Sequence, residues 1–436
     1  MSIETIQPAT SFRGSLTLPG DKSISHRYAM LAGLAQGTSR LRNFSTGADP
    51  RSTLNCMRDL GAVISEDADG TLSITGVSGA PQQPAVPLDC GNSGSTMRML
   101  SGLLAAHPHT FTLIGDHSLS GRPMERIRNP ISQFFPAGSR ASLTLTDGHA
   151  PITLTGGPLT GVTFEKPVAS AQVKTAILFA GMQAHGTTTL TEAVRTRDHT
   201  EHALRAFGTT LDRRGDTLSI TGPQQLRAVD ATVPGDLSSA AFFLAAALLF
   251  PESHLVLDAL GMNPTRSALL DVIVALGARI KVLNVEEHHG ELVGTIQVNA
   301  HHDPRASQQP LEISGALTAQ LIDEIPVLAA VAPFTRTGIR VRDARELRVK
   351  ESDRIALVVQ NLRSMGADVT EHDDGLDVPG GQTLHGADIQ SGDDHRIAMA
   401  FAVAALRATS ETRIHGAEVA AISFPEFFRH LKILTA

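Results

Sequence analysis

The chain of 436 residues has no tryptophan, one tyrosine and two cysteines, and only 19% of its residues are charged. Cys56 and Cys90 form no metal-binding or redox motif, so we expect them to stay reduced, as in the cytoplasm. The formal net charge of −7 argues against a general nucleic-acid-binding protein. The longest apolar run, at 240–250, is too short to span a bilayer, and the first residues do not read as a secretory signal. We therefore expect a soluble cytoplasmic protein.

Two further absences limit the chemistry. No stretch meets the phosphate-loop consensus of Gly, four residues, Gly-Lys-Ser/Thr, which disfavours a nucleotide triphosphatase. The 18 histidines and the two cysteines show no metal-ligand spacing, so we expect no metal site. The chain has instead 42% hydrophobic residues and 38 glycines. The length of 436 residues predicts two domains of about 200 residues each, and the glycines predict many tight turns.

A weak internal repeat sets the expected architecture. CMRDLGAVI (56–64), ALRAFGTTL (203–211), VIVALGARI (272–280) and NLRSMGADV (361–369) each combine a helix end, a C-cap glycine and a strand. A second strand follows several copies, and a loop with Arg and Asp precedes each one. The segments 111–155 and 296–313 fit as degenerate copies. The sequence therefore predicts an α/β protein of about six βαβαββ units, three in each half.

Two similar sequence motifs predict the boundary between the halves. LPGDKSISHR at 18–27 opens the first predicted helix, and VPGDLSSAAFFLAAALLF at 233–250 follows a weak polar stretch and restarts the same Gly-Asp-Ser pattern. These phrases predict one domain at 22–233 and a second formed by 1–21 with 234–436. Active sites commonly lie between such halves, so we expect the active site in the cleft between them.

Polar clusters at predicted helix starts in the first half pair small residues with cations. They are GDKSISHR with Lys22, Ser23 and Arg27; GNSGSTMR with Asn92, Gly94 and Arg98; SGRPMERI with Arg122 and Arg126; and ASAQVKTA with Ser170, Gln172 and Lys174. Helix N-termini with nearby cations are preformed anion sites. Any one cluster taken alone reads better as an ordinary N-cap beside a surface charge. Four of them in a chain with few charges predict a site for multiply charged anions.

The second half places carboxylates beside cations. The three motifs are LIDEIP with Asp323 and Glu324; LRVKESDR with Arg348, Lys350, Glu351, Asp353 and Arg354; and DDHRIAM with Asp394, His395 and Arg396. Carboxylates suit proton transfer, and cations suit a substrate that carries phosphate and carboxylate groups. The motif LRVKESDR alone reads equally well as a surface charge mixture. The apolar helix after Arg396, in contrast, must begin inside the protein.

Taken together, these motifs resemble the enolpyruvyl transferase family from about residue 12 to residue 430. LPGDKSISHR, GNSGSTMR, RPM, SAQVKTA, TRDHTE, VPGDLSSAAFFLAAA, DEIP, LRVKESDR and DDHRIAM occur in the family's order and spacing. The resemblance is strongest to the branch that transfers the enolpyruvyl group of phosphoenolpyruvate to the 5-hydroxyl of shikimate-3-phosphate, on the route to chorismate and the aromatic amino acids. It implies two similar domains of three βαβαββ units each, an inside-out α/β barrel, in a monomer without metal or organic cofactor.

The resemblance also implies residue roles. The shikimate-3-phosphate site would consist of Lys22, Ser23, Arg27, Ser170, Ala171, Gln172, Arg197, Asp323 and Lys350. The phosphoenolpyruvate site would consist of Lys22, Asn92, Gly94, Arg122, Gln172, Arg354 and Arg396. The catalytic residues would be Lys22, Asp323 as the base for the 5-hydroxyl, and Glu351 as the acid that protonates the methylene carbon. Glu351 must then start each turnover protonated, so we expect its pKa to be raised.

Three positions depart from the pattern of many family members. Met99 replaces a proline, Ala171 replaces a serine as in a second recognised branch of the family, and Ser423 stands where many members have a lysine. We assign Ser423 no role in binding phosphoenolpyruvate. The herbicide glyphosate occupies the phosphoenolpyruvate site of sensitive members; Gly94 leaves room for it, but the sequence does not decide whether this chain is sensitive.

Two alternative functions remain open at this point. The sister branch transfers the enolpyruvyl group to UDP-N-acetylglucosamine, but it carries a reactive cysteine in the loop that corresponds to SLSGRPMERI, and this loop has none. A non-catalytic anion-binding protein on the same fold is the second alternative. Such a protein would have no reason to keep both Asp323 and Glu351 beside phosphate-binding cations.

Overall fold

The structure is a computed structural model that describes residues 2–165, 169–301 and 309–436. The chain divides into two compact units. The N unit consists of Gly20–Val233 and Glu287–Glu291, and the C unit consists of Met1–Pro19, Pro234–Glu286 and Leu292–Ala436. A short segment, Glu287–Glu291, thus belongs to the N unit although its neighbours on both sides belong to the C unit.

The strands are short, most of them three to eight residues long. In chain order they are β1 Ile3–Ile6, β2 Arg13–Thr17, β3 Thr38–Arg42, β4 Val63–Glu66, β5 Leu72–Thr75, β6 Leu88–Asp89, β7 Thr110–Ile114, β8 Ser142–Thr146, β9 His149–Thr155, β10 Thr163–Glu165, β11 Gly186–Thr191, β12 Asp212–Arg214, β13 Thr217–Gly222, β14 Asp230–Thr232, β15 His254–Gly261, β16 Ala278–His288, β17 Glu291–Ala300, β18 Leu311–Ile313, β19 Gly338–Val341, β20 Thr370–His372, β21 Gly375–Pro379, β22 Asp388–Gln390 and β23 Thr412–His415.

The helices are also short. In chain order they are α1 Lys22–Leu34, α2 Ala48–Asp59, α3 Gly94–Leu104, α4 His117–Ser120, α5 Glu125–Ser132, α6 Ala171–Gly181, α7 His199–Ala206, α8 Leu237–Leu248, α9 Ala268–Ala275, α10 Gly315–Leu321, α11 Ile325–Val331, α12 Arg354–Ser364, α13 His395–Ala405 and α14 Phe427–Leu434. Short 3-10 helices lie at Ala332–Phe334, Arg345–Val349 and Ala417–Ile422.

The strands of the described residues form six sheets that share one pattern. Three sheets lie in the N unit, in the orders β14-β3-β5-β4, β6-β7-β9-β8 and β10-β11-β13-β12. The C unit has β16-β17-β15-β2, β18-β19-β21-β20 and the three-stranded β1-β23-β22. Each contains one parallel pair extended by antiparallel pairing, for example β6 parallel to β7 and β7 antiparallel to β9. The predicted fold class, α/β with two similar sets of three units, is confirmed.

The repeat prediction is wrong for one segment of the chain. The segment 296–313 holds the end of β17 and all of β18, which lie in different sheets, and its residues 302–308 lie outside the described residues. The sixth unit instead joins β22 and β23 to the N-terminal strand β1, with Ile3 opposite His415 and Ile6 opposite Thr412. A repeat search along the sequence misses this unit because its strands come from opposite ends of the chain.

Buried apolar helices form the core of each unit, and their polar N-termini hold the residues of interest. The helices α8 and α13 are apolar on all sides, and nearly every residue in them is buried. Side-chain oxygens cap the first turns of several helices: Asp21 for α1, Ser93 for α3, Ser170 for α6, Asp236 for α8, Asp353 for α12 and Asp394 for α13. The most apolar helices therefore begin at clusters of polar residues.

In the part of the chain that the structure describes, no single helix is long and apolar enough to cross a membrane. The helices Gly315–Leu321 and Ile325–Phe334 reach that length and composition only together, and they meet at a bend of 98°.

Candidate active site

The first helix, α1, presents Lys22, Ser23 and Arg27 in the N unit. Asp21 caps the helix by accepting a hydrogen bond of 2.9 Å from the Ile24 amide. The Lys22 Nζ lies 2.9 Å from Asp49 Oδ2, so a carboxylate from α2 holds the ammonium group in place. The Arg27 Nη1 donates 2.7 Å to the Ser23 carbonyl, one helical turn earlier. The first two turns of α1 thus present two cations on a fixed backbone.

Arg27 is a buried cation held by hydroxyl groups. Its side chain is 3% exposed, and its Nε and Nη2 each donate 2.7 Å, to Thr200 Oγ1 and to Thr175 Oγ1. Burial lowers the pKa of Arg27 to about 10, against the opposing influence of the carboxylates of Asp21 and Glu201. Arg197 lies close enough to add to this lowering. Two cations near each other with hydroxyl groups beside them suit a multiply charged anion such as a phosphate.

The second predicted cluster lies at the start of α3. A β-carbon on Gly94 would lie 3.0 Å from Arg98 Nη1 and 3.5 Å from Arg122 Nη1, so the glycine lets both guanidinium groups approach the helix N-terminus. Arg122 Nη2 donates 2.7 Å to Asn92 Oδ1, which places Asn92 in the same cluster. The amide of Asn92 in turn donates 2.8 Å to Asp116 Oδ2. The result is an N-terminus flanked by two cations, an arrangement that favours anions.

Gln172 connects this cluster to the third one. Ser170 caps α6, and Ala171 is the first residue of that helix. The Gln172 Oε1 accepts 2.8 Å from Arg98 Nη1, and its Nε2 donates 2.9 Å to Ser95 Oγ. The Ala171 carbonyl accepts 2.6 Å from Thr175 Oγ1, the same hydroxyl that Arg27 contacts. Hydrogen bonds therefore join the clusters at α1, α3 and α6 into one polar network within the N unit.

In the C unit, Arg354 is the centre of the predicted carboxylate group. Its side chain is 1% exposed, and its Nε donates 2.7 Å to Asp394 Oδ2. Its Nη2 donates 2.6 Å to Glu351 Oε2, and its Nη1 lies 3.6 Å from Asp323 Oδ1. Burial opposes the charge, but the carboxylates of Asp394, Glu351 and Asp323 outweigh it and raise the pKa of Arg354. One permanent cation therefore contacts both predicted catalytic carboxylates.

Asp323 has two further cationic neighbours. Lys350 Nζ lies 3.6 Å from its Oδ1, and Arg396 Nη1 donates 2.8 Å to its backbone carbonyl. Arg396 is the second residue of α13, where Asp394 accepts 2.9 Å from its amide. Asp394 is fully buried, as expected for a polar cluster that precedes a buried apolar helix. The five predicted residues Asp323, Lys350, Glu351, Arg354 and Arg396 thus lie in one cluster.

The structure thus places the predicted site residues of the N unit around the starts of α1, α3 and α6, with Arg197 close enough to act on the charge of Arg27, and those of the C unit around Arg354. Two further residues had no role assigned from the sequence. Arg98 was visible in its motif, one helical turn after Gly94, but its bond to Gln172 joins residues 74 positions apart. Asp49 gave no sequence signal, because its partner Lys22 lies in another motif. In the described ranges, no group of three or more His, Cys, Asp or Glu side chains could hold a metal ion.

Comparison with known proteins shows the family. The family model described as EPSP synthase (3-phosphoshikimate 1-carboxyvinyltransferase) matches residues 6–431. A protein named 3-phosphoshikimate 1-carboxyvinyltransferase from Koribacter versatilis is 58% identical over 97% of each chain, and one of the same name from Solibacter usitatus is 51% identical over 98% of each.

Solved structures give the same result. An EPSP synthase from Acinetobacter baumannii superposes with a TM-score of 0.86 and 38% identity, and covers 100% of this chain and 98% of its own. The enolpyruvyl transferase NikO from Streptomyces tendae shares the fold with a TM-score of 0.77 at 20% identity, over 99% of this chain and 97% of its own. The model match and the relatives span almost the whole sequence, and the chain therefore belongs to the EPSP synthase family.

Proposed function

We propose that this chain carries out the reaction of its family through the two side-chain networks described above. In that reaction the enolpyruvyl group of phosphoenolpyruvate moves to the 5-hydroxyl of shikimate-3-phosphate, and inorganic phosphate leaves. One observation supports the assignment of roles more than any other. Asp323 and Glu351, the predicted base and acid, both contact the guanidinium group of Arg354. A base and an acid held on one cation can act on neighbouring atoms of one pair of substrates.

The cations of the N unit supply binding for shikimate-3-phosphate. We assign Lys22, Ser23, Arg27 and Arg197 to the sugar phosphate region, together with Ser170, Ala171 and Gln172 at the start of α6. The support is that Arg27 and Lys22 are already held by Thr200, Thr175 and Asp49, so a ligand does not have to order them. Asp323 and Lys350 complete the assignment around the 5-hydroxyl.

Phosphoenolpyruvate is assigned to the remaining cations. Three arginines balance the charges of its phosphate and carboxylate: Arg122, Arg354 and Arg396. Gly94 and Asn92 lie at the N-terminus of α3, which we assign to the same substrate. Gln172 and Lys22 contact both substrates. Two multiply charged anions repel each other in water. A site lined by fixed cations removes that repulsion and lowers the cost of forming the ternary complex.

The chemical steps follow from these positions. Protonated Glu351 donates its proton to the methylene carbon of phosphoenolpyruvate, which becomes a methyl group and leaves the neighbouring carbon cationic. The 5-hydroxyl oxygen adds to that carbon while Asp323 accepts the hydroxyl proton, giving a tetrahedral intermediate. The bond from that carbon to the phosphate oxygen then breaks, and phosphate leaves with the bonding pair. The methyl group returns a proton to the Glu351 carboxylate, which restores the alkene and the acid form of Glu351.

The contact between Glu351 and Arg354 also indicates how substrate binding favours protonation of Glu351. The Glu351 carboxylate lies against the Arg354 guanidinium. When phosphoenolpyruvate binds Arg354, the substrate becomes the counter-ion of the arginine. Glu351 then shares its cation with another anion, which makes protonation of Glu351 easier. The raised pKa expected for Glu351 is thus a prediction for the substrate complex.

The acceptor decides between this function and its alternatives. Purified protein is mixed with phosphoenolpyruvate and either shikimate-3-phosphate or UDP-N-acetylglucosamine, and released phosphate is measured. We expect release only with shikimate-3-phosphate, in keeping with the names of the relatives. Release only with UDP-N-acetylglucosamine would indicate the sister reaction. No release with either acceptor, together with measurable binding of phosphoenolpyruvate, would indicate the non-catalytic alternative.

We further propose that the chain works as a cytoplasmic monomer without metal or organic cofactor, with domains at 22–233 and at 1–21 plus 234–436. The support is that the assigned roles use only side chains of this one chain, and that Cys56 and Cys90 are free thiols. Light scattering after size-exclusion chromatography tests the monomer. Activity that persists after dialysis against EDTA tests the absence of a metal requirement.

A further inference from the structure

The segment Glu287–Glu291 connects β16 to β17 and groups with the N unit. Its last residue, Glu291, is 3% exposed, and its Oε1 lies 2.7 Å from Nδ1 of His199, which is also 3% exposed. An ionised carboxylate only accepts hydrogen bonds, so the Nδ1 carries the hydrogen in this pair. Glu291 thus fixes the ring of the first residue of α7.

The same segment makes close contacts beside this pair. Gly290 has φ +82, and a β-carbon there would lie 2.4 Å from His202 Nδ1, so only glycine fits against the next turn of α7. His289 Nε2 lies 3.2 Å from the Asp230 carbonyl. Three consecutive residues therefore contact the N unit at defined atoms. These contacts hold the Glu291 carboxylate in a defined position.

The residue after His199 is Thr200, and Thr200 holds Arg27. The Thr200 Oγ1 accepts 2.7 Å from Arg27 Nε and forms a second bond of 2.7 Å with Thr175 Oγ1. A shift of the His199 ring would move the start of α7, and with it the hydroxyl that orients the arginine. The Glu291 carboxylate also lies close enough to act electrostatically on both Arg27 and Tyr28. Glu291 is therefore linked to Arg27 by a chain of contacts and by charge.

We propose that Glu291 is a positioning residue for the anion site at Arg27: its carboxylate fixes His199 and Thr200, and so holds the Arg27 guanidinium in its binding orientation. The inference rests on the proposed role of Arg27 in binding shikimate-3-phosphate. Glu291 itself touches neither substrate in this proposal. It acts on the affinity for the phosphorylated acceptor and not on the chemical steps.

The test compares Glu291→Ala and Glu291→Gln with the control Glu287→Ala, an exposed carboxylate of the same segment. For Glu291→Ala we expect the KM and the Kd for shikimate-3-phosphate to rise about tenfold, while kcat and the KM for phosphoenolpyruvate stay within about twofold. The amide oxygen of Glu291→Gln can still accept from His199, so this variant should recover much of the affinity. Glu287→Ala should behave as the wild type.

The outcomes separate the two proposals. If Arg27→Ala leaves the Kd for shikimate-3-phosphate unchanged, the assigned role of Arg27 is wrong and the inference falls with it. If Arg27→Ala weakens binding but neither Glu291 variant does, only the inference is overturned. A merely structural Glu291 would lower the melting temperature and change kcat and both KM values together. In the double variant Arg27→Ala with Glu291→Gln, we expect no loss of affinity beyond that of Arg27→Ala alone. If Glu291→Ala does not fold, Glu291→Asp replaces it: the shorter side chain withdraws the carboxylate from His199, so we expect a raised Kd for shikimate-3-phosphate, and an unchanged Kd overturns the inference.

Discussion

Arg354 and Asp394 form an ion pair inside the C unit, with 2.7 Å between Nε and Oδ2 and with side chains 1% and 0% exposed. Such a pair costs much free energy to desolvate, and breaking it from one side leaves a buried charge without its partner. Asp394 also accepts from Ser352 Oγ and from the Arg396 amide. A single carboxylate therefore holds two of the three arginines assigned to phosphoenolpyruvate, Arg354 through its side chain and Arg396 through its backbone amide.

Asp394→Ala should be the most damaging single change in this cluster. We expect the free energy of unfolding to fall by about 3–5 kcal/mol, because Arg354 loses its main counter-ion. Asp394→Asn keeps an oxygen for the helix cap and should lose less. Urea unfolding measures both. The control is Asp393→Asn, an exposed neighbour at φ 57, where asparagine is well tolerated. Equal stabilities of the alanine variant and the control would contradict the assigned importance of the pair.

Asp323 and Glu351 should both be needed for turnover. Asp323→Ala and Glu351→Ala each remove one proton-transfer group, so we expect kcat to fall by at least about a hundredfold. Phosphate release with both substrates saturating measures this loss. Asp368→Asn, an exposed carboxylate of the same unit, serves as the control. Near-normal turnover in either alanine variant would show that its assigned role is wrong.

Gly94→Ala should act on phosphoenolpyruvate. A β-carbon at this position would lie 3.0 Å from Arg98 Nη1 and 3.5 Å from Arg122 Nη1, so one or both guanidinium groups must shift. We expect the KM for phosphoenolpyruvate to rise at least about fivefold, because charged groups moved by a fraction of an ångström bind less well. Gly157→Ala is a matched control, since its β-carbon meets only the Ala141 Cβ at an ordinary 3.5 Å. An unchanged KM for phosphoenolpyruvate in Gly94→Ala would show that this substrate does not bind at the N-terminus of α3.

His107 should make the stability of the protein depend on pH. Burial lowers its pKa from 6.5 to about 4, against a hydrogen bond to Gln183 that raises it. The unfolded chain therefore binds a proton that the folded chain does not, and stability falls as the pH drops from about 6.5 towards about 4. The loss approaches about 3 kcal/mol for a shift of this size.

The variant His107→Gln tests this pH dependence. Glutamine does not titrate, so the variant should lose less stability than the wild type over the same range. Melting temperatures at several pH values measure the difference. The exposed His185 supplies the control, His185→Gln, which should follow the wild-type curve. Parallel curves for His107→Gln and the wild type would contradict the prediction.

The sequence predicted what is local and missed what is distant. Helix caps such as Ser170 and Asp394 follow from a polar residue before an apolar helix, and the structure has them there. The α/β repeat followed from the spacing of glycines and β-branched strands. In contrast, Glu291 bonds to a residue 92 positions away, and the three-stranded sheet pairs residues near positions 5 and 413. No local pattern encodes such pairings, because they depend on how the finished fold brings the segments together.

The N-terminal strand β1 completes a sheet whose other two strands, β22 and β23, lie close to the C-terminus. Among the strands of the described residues, a ribosome therefore makes β1 before all the others and its partner β23 after all the others. During synthesis the unpaired strand carries backbone groups that no other part of the nascent chain satisfies in the native way. The sheets of the N unit draw all their strands from Thr38 to Thr232 and can form earlier. The order of synthesis thus means that the C unit cannot complete this sheet before β23 has been made.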